Sequence, residues 1–292
     1  MFNDLQSAFK DKSDGDLNRA YLLFKAISNP KVSKIITSII KIAIWLGIPI
    51  DGIIRATVYK HFCGGTTIKD SNRTIHKLWK SKIGTILDFS AEGKESESDF
   101  NTVMKETIKS LHTAKEKENI PFAVFKPTGL ARFELLEKIN SNKKLSKKEE
   151  KERIDFESRV ETICEVSIEN KVPVFIDAEE SWIQDAIDDI AVRMMEKFNT
   201  KQAWIFNTLQ LYRNDRISHL NILLTNAKKK KFFIGLKLVR GAYHEQEIER
   251  AKNLGYSCPV HQQKEDTDKD YNEALSICIK NINIISICAG TH

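Results

Sequence analysis

The sequence is poor in glycine and poorer in proline, with 12 and 6 among 292 residues. That excludes collagen-like and Pro/Gly-rich low-complexity chains. Its five cysteines, at positions 63, 164, 258, 278 and 288, are odd in number and form no C-x-x-C pair. A disulfide framework and a cysteine-rich zinc site are disfavoured, and a reducing cytoplasm suits the chain better. H-E-x-x-H, G-x-x-x-x-G-K-[ST] and G-x-G-x-x-G are absent, so zincin, P-loop and dinucleotide-fingerprint readings lack support. Neither sign of charge dominates: 46 Lys and Arg stand against 40 Asp and Glu, a net +6, short of a dedicated nucleic-acid arm. There is no membrane-spanning run. The apolar stretch Ile35–Ile50 (IITSIIKIAIWLGIPI) carries Lys41 in its middle and ends on Gly47 and Pro49, whereas a span wants ~20 apolar residues. It reads first as a helix buried against the rest of the protein and second as a peripheral membrane contact. Asp4, Asp11, Asp14 and Asp16 near the start argue against a mitochondrial transit peptide.

What is present is a globular composition, 41% hydrophobic and 29% charged, enough for a sizeable core. Residues 1–81 read as an N-terminal helical segment: Leu17, Tyr21, Phe24 and Ile27 recur near a 3.6-residue period, and Asn29-Pro30 stops the first long helix. From residue 82 to 292 short apolar runs alternate with amphipathic helices. Strands are expected at 82–89, 122–125, 172–176, 203–206, 232–239 and 283–289. Helices are expected between them at 100–119, 130–140, 154–170, 181–198, 215–230, 245–254 and 270–280. Alternating β and α in six units implies a parallel sheet with helical crossovers, and consecutive apolar residues suit strands covered on both faces. Polar residues follow each strand: Asp88 to Glu92, Lys126, Asp177, Asn207, Arg240 with Tyr243, and Thr291 with His292. Parallel α/β folds gather chemistry at the carboxyl ends of their strands, so these residues are expected to share one site.

The strand ends read, in order, LDFSAEGKE (87–95), FAVFKPTG (122–129), VFIDAEES (174–181), IFNTLQLYRND (205–215), LKLVRGAYHEQE (236–247), GYSCPVHQQKEDTDKDYN (255–272) and AGTH (289–292). This succession, which covers nearly the whole chain, resembles the proline dehydrogenase family. The resemblance implies an α/β fold of (β/α)8 TIM-like barrel type, oxidation of L-proline to Δ1-pyrroline-5-carboxylate, FAD as cofactor and a quinone-type electron acceptor. Together with the cysteine usage it gives the expectation of a cytoplasmic protein with a peripheral contact at the inner membrane, where such an acceptor resides. It also implies roles for residues of this chain. Lys126 pairs with the proline carboxylate, Asp177 is the active-site aspartate, and Ala242 and Tyr243 line the proline pocket. Glu92 is a gate glutamate. Lys237 stands near flavin N5 where several members have arginine. Asn207 and Gln210 face the flavin, Arg240 and Gly241 contact it, and Lys264 and Thr267 belong to a segment meeting its adenylate part. Thr291 and His292 fall in the T-H flavin motif. No metal is implied.

The chemistry of these residue types agrees. A zwitterionic imino acid needs a cation for its carboxylate, and a reduced flavin is stabilised by a cation beside its ring. Blander readings compete at each position. A lysine after an apolar strand is usually a solvated rim residue, and Asp177-Ala-Glu-Glu could cap the next helix and supply its acidic first turn. His244 and His261 read as surface histidines, and the charged run 141–153 and Lys228–Lys231 read as solvated faces. A basic module binding nucleic acid or an anionic surface is the alternative from another class, weakened by Glu149, Glu150 and Glu152 and by the lack of interleaved aromatics. The resemblance further implies two more strands and a final helix bearing a carboxylate-binding arginine pair. With six βα units in 292 residues, the barrel is expected to be incomplete, its edges open and its cofactor weakly held.

Overall fold

A computed structural model describes residues 4–10, 12–89 and 95–291. The chain divides into two compact units, 1–84 and 85–292.

The first unit is helical: α1 (Leu5–Phe9), α2 (Asp14–Ile27), α3 (Pro30–Trp45), α4 (Asp51–Ile54), a π-helical turn at Arg55–Tyr59, α5 (Lys60–Phe62) and α6 (Ile68–Trp79). Caps set these boundaries. Ser13 Oγ accepts from the Asp16 N–H, Asn29 Oδ1 accepts from the Lys31 and Val32 N–H groups, and Thr67 Oγ1 accepts from the Asp70 N–H. Pro30 opens α3, where its missing N–H costs nothing. Within this unit α3 buries Ala43 but leaves much of its expected apolar face uncovered: Ile35, Ile39 and Ile42 are 59%, 60% and 57% exposed. Among the described residues no helix is long and apolar enough to cross a membrane.

The second unit is an α/β layer fold. Strands β1 (Ile86–Leu87), β2 (Phe122–Phe125), β3 (Val174–Ile176), β4 (Ile205–Gln210), β5 (Ile234–Val239) and β6 (Ile285–Ala289) form one sheet in chain order. Every pairing is parallel. Between them run α7 (Glu97–Ala114), α8 (Phe133–Asn140), α9 (Lys147–Asn170), α10 (Ser181–Phe198), α11 (Arg216–Lys230), α12 (His244–Leu254) and α13 (Lys264–Lys280). The six alternating units expected from the sequence are therefore present, with β1 shorter than expected. α9 begins seven residues before the expected 154, inside the charged run: Ser146 and Glu149 cap each other's main chain in a capping box. Part of that run is also structural rather than merely solvated, because Arg132 pairs with Glu152 at 2.6 Å and Lys138 pairs with Glu149.

Strand alternation decides which residues share each face of the sheet, and the face that carries the aromatic cluster is termed inward. Phe122 stacks on Phe175 at 4.3 Å, and Phe206 meets both rings edge-on at 5.4 and 5.5 Å. Val124 and Cys288 pack against the same cluster. Gly235 belongs to that layer, since a Cβ there would stand 2.7 Å from the Phe206 ring and 2.4 Å from the Ile205 carbonyl. Two residues further along each strand from this aromatic floor lie the positions that build the site.

Candidate active site

The period-two rule carries the inward row from Val124 to Lys126, from Phe175 to Asp177, from Phe206 to Thr208 and Gln210, and from Gly235 to Lys237. Register agrees: Thr208 sits opposite Lys237, and Lys237 opposite Cys288. Lys237 Nζ is ion-paired to Asp177 and lies 5.1 Å from the Phe175 ring centroid. Thr208 Oγ1 donates to the same aspartate at 3.2 Å. Both members of the pair keep 19% side-chain exposure, so they open onto the strand ends instead of being sealed in the core. Lys126, half-buried, begins the 3-10 turn Pro127–Gly129 directly after β2.

The loop after β5 forms one side. Gly241 has φ +141°, and a Cβ there would strike the Tyr212 ring at 2.4 Å, so only glycine fits that crossing. Arg240 lies over the Tyr271 ring at 4.7 Å, is paired with Asp268, and donates from Nη1 to Thr291 Oγ1 at 2.9 Å. Lys264, exposed at the start of α13, shares Asp268 with it. Their hydrogen bonds hold the Asp268 carboxyl below its ordinary range. Thr267 is buried on the same helix, and the Tyr271 hydroxyl is buried with no hydrogen-bond partner among the described residues. Ala242 is exposed, and Tyr243 precedes α12 half-buried.

One expected site residue is misplaced by the sequence reading. Asn207 does not face the site: it is fully buried behind the sheet, where its Nδ2 donates 2.8 Å to Asp188 Oδ1 on α10. With both faces of β4 buried, the sequence showed no alternation from which to tell Asn207 from Thr208. Gln210 does lie on the inward row, but its amide is committed to main chain. Nε2 donates to the Glu179 carbonyl at 2.7 Å, and Oε1 accepts from the Ala242 N–H at 3.1 Å. Glu92 and His292 lie outside the described residues.

Several residues that the sequence reading passed over support the site. Glu179 does not supply an acidic first turn to α10; it is 3% exposed, and both its oxygens accept from Thr128. Burial pushes its carboxyl up to about 7, against the hydrogen bonds from Thr128. Glu180 holds the cap position of α10 without a side-chain cap bond. Behind the sheet, Asp188 accepts from Gln184, Asn207 and Arg216, and Arg216 also pairs with Asp215. His244 and His261 are not loose surface groups. His261 Nε2 pairs with Asp270 at 2.7 Å, and His244 Nε2 meets the His261 carbonyl at 2.8 Å. They secure the strap between α12 and α13 to the loop after β4, where the His261 N–H donates to the Tyr212 carbonyl at 2.7 Å. Such side-chain-to-loop contacts leave no periodic trace in a sequence. Among the described residues no group of His, Cys, Asp and Glu could hold a metal ion.

The family model for proline dehydrogenase matches residues 71–292. Proline dehydrogenase 1, mitochondrial, of Dictyostelium discoideum is 28% identical over 337 residues, covering 99% of this chain and 58% of that protein. The carbapenem antibiotics biosynthesis protein CarD of Pectobacterium carotovorum subsp. carotovorum is 29% identical over 241 residues, covering 82% of this chain and 63% of that protein. In the crystal structure of proline utilization A from Bdellovibrio bacteriovorus inactivated by N-propargylglycine, a chain superposes with a TM-score of 0.71 at 18% identity, covering 82% of this chain and 26% of that one. This likeness shows the fold. The chain thus spans about three-fifths of the length of these curated relatives.

Proposed function

The chain belongs to the proline dehydrogenase family, and from that membership we propose that the protein carrying it oxidises L-proline to Δ1-pyrroline-5-carboxylate with FAD and passes the electrons to a quinone-type acceptor. The observation that carries the reading is the inward row of Lys126, Asp177, Thr208 and Lys237 above an aromatic floor of Phe122, Phe175 and Phe206. Proline has an apolar ring and a carboxylate. A dry aromatic floor accepts the first, and a lysine at the strand ends accepts the second.

The family is flavin-dependent, and the donor set here suits such a group. Arg240, Lys264 and Thr291 form a cationic, hydroxyl-bearing rim fit for a diphosphate. Gly241 lets the main chain of the loop after β5 cross directly against the Tyr212 ring, which brings that loop to the same rim. Arg240, Gly241, Lys264, Thr267 and Thr291 are the residues we assign to holding the cofactor. When bound, the flavin would supply the two-electron oxidant: loss of a hydride from the ring CH2 beside the proline nitrogen and of a proton from that nitrogen would leave a C=N bond. The chain's own residues do the rest. Lys126 neutralises and orients the substrate carboxylate. Asp177 and Thr208 hold Lys237 in the inward row, where its fixed positive charge favours negative charge developing nearby. The Phe175 and Phe206 rings keep water from beneath the reacting ring.

A peripheral bilayer contact through α3 belongs to the same proposal. Val32, Ile35, Ile39 and Ile42 are exposed on the helix beside Lys31, Lys34 and Lys41, and no acidic residue occurs from Asn29 to Ile50. Apolar side chains flanked by lysines match an anionic interface. The test of the catalytic reading is proline-dependent dye reduction by the purified flavoprotein, wild type against Lys126→Ala. At saturating dye the variant is expected to need at least tenfold more proline for half-maximal rate, and an unchanged requirement would remove Lys126 from the substrate site.

A further inference from the structure

Glu179 occupies the position two residues beyond Asp177, and its geometry is over-determined. Its N–H donates to Gln184 Oε1 at 2.8 Å, and its carbonyl accepts from Gln210 Nε2 at 2.7 Å. With the main chain pinned on both sides, the side chain has one direction, and both oxygens go to a single residue. Oε1 accepts the Thr128 N–H at 3.0 Å, and Oε2 accepts the Thr128 hydroxyl at 2.5 Å. Thr128 is the centre of the turn that starts at Lys126. That turn closes on itself, since the Gly129 N–H donates to the Lys126 carbonyl at 3.0 Å and the Leu130 N–H to the Pro127 carbonyl at 2.9 Å. The turn therefore has its own hydrogen bonds and a proline-fixed φ. It does not need a buried acid in order to form.

A carboxyl group 3% exposed is costly to keep. Apolar packing at that place would serve stability at least as well. What the bidentate contact supplies is direction: it ties the first residues after β2 to the end of β3, and so fixes how Lys126 leaves the strand. The groups acting on the carboxyl are Thr128, Glu180 and Lys126, so the lysine stands within electrostatic reach of the strut. The same hydrogen-bonded path continues from the Glu179 carbonyl through Gln210 to the Ala242 N–H. It thereby joins the loops that follow β2, β3, β4 and β5.

We propose that Glu179 is a positioning residue, which through Thr128 sets the orientation of Lys126 toward the substrate carboxylate. It does not touch substrate and acts only through the lysine. The inference rests on the proline-oxidation reading, and its test separates the two. The probe is tetrahydrofuran-2-carboxylate, which keeps the ring and carboxylate of proline but has no amine to oxidise. Its dissociation constant is measured on the full-length flavin-loaded protein for wild type, Lys126→Ala, Glu179→Ala and the double variant, together with flavin content.

Removing the lysine is expected to weaken the probe tenfold or more, and Glu179→Ala about tenfold, with flavin content unchanged. The double variant should bind no worse than Lys126→Ala alone, within twofold, because residues acting through one contact are not additive. Glu179→Gln keeps a carbonyl oxygen for the Thr128 N–H and should recover most of the affinity. If Glu179→Ala does not fold, Thr128→Val replaces it in the same cycle, with an expected weakening of about threefold that Lys126→Ala again abolishes. Losses that multiply in the double variant, or full wild-type affinity in Glu179→Ala, overturn the positioning role while leaving proline oxidation standing. A wild type that neither binds the probe nor oxidises proline overturns both.

Discussion

At the end of β4 a single position separates two fates. Thr208 faces Asp177 and the site, whereas Asn207 faces Asp188 behind the sheet. Asn207→Ala should therefore cost stability, about 1–3 kcal/mol for leaving a buried carboxylate short of a donor. It should leave the proline concentration for half-maximal rate unchanged, and paired denaturation and rate measurements check both. Lys237→Met, on the inward row, should slow flavin reduction by proline in stopped-flow mixing, beyond any stability lost by leaving Asp177 with Thr208 as its remaining donor. Reduction at the wild-type rate would remove Lys237 from the chemistry. Glu179 gives a pH signature. Its carboxyl is held up to about 7 by burial, against an unfolded value near 4.5. The folded state then binds the extra proton between those two values, and stability falls as pH rises through that window. Urea midpoints from pH 5 to 8 should decline more steeply for wild type than for Glu179→Gln, and parallel curves would contradict the assignment. Lys126 and Asp177 could be placed at strand ends from the sequence because polar residues after apolar strands mark those ends, whereas Lys237 lies within β5 and was singled out only by the family resemblance. The Glu179–Thr128 strut was not legible, because it joins residues 51 apart by a contact with no periodicity.

Elements were read most surely where period and punctuation agreed. α10 and α12 lie where the apolar spacing and the C-terminal Gly255 put them, and Gly255 has φ +71° as a left-handed stop requires. α9 and α13 start earlier than the apolar pattern suggested, since their first turns are made of charged residues that carry no apolar period; α9 is started by a capping box, whereas α13 begins without a side-chain cap. Ser146→Ala removes the box that starts α9 and should cost about 1 kcal/mol in thermal or urea unfolding. α3 was misread in the other direction. Its apolar character suggested burial, but the exposed isoleucines sit beside lysines. Ile35→Glu with Ile39→Glu should lower co-sedimentation with vesicles containing phosphatidylglycerol at unchanged helix content, and equal sedimentation of variant and wild type would discard the bilayer contact.

For the molecule as a whole, the sheet order β1 to β6 follows chain order, and every pairing is parallel, as alternating βα units with helical crossovers require. This order brings residues from the ends of β2, β3, β4 and β5 into one row although they span Lys126 to Lys237 in sequence. A parallel sheet with helical crossovers was accessible from the alternation alone, while the barrel type came from the family resemblance and the reaction rests on side chains placed by that fold and on membership in the proline dehydrogenase family. The most direct measurement of the central claim is anaerobic mixing of the full-length FAD-loaded protein with L-proline while flavin absorbance is followed. The account predicts bleaching of the oxidised flavin band with L-proline and formation of Δ1-pyrroline-5-carboxylate in equal amount. A flavin that stays oxidised with saturating L-proline, yet is bleached by dithionite, would contradict it.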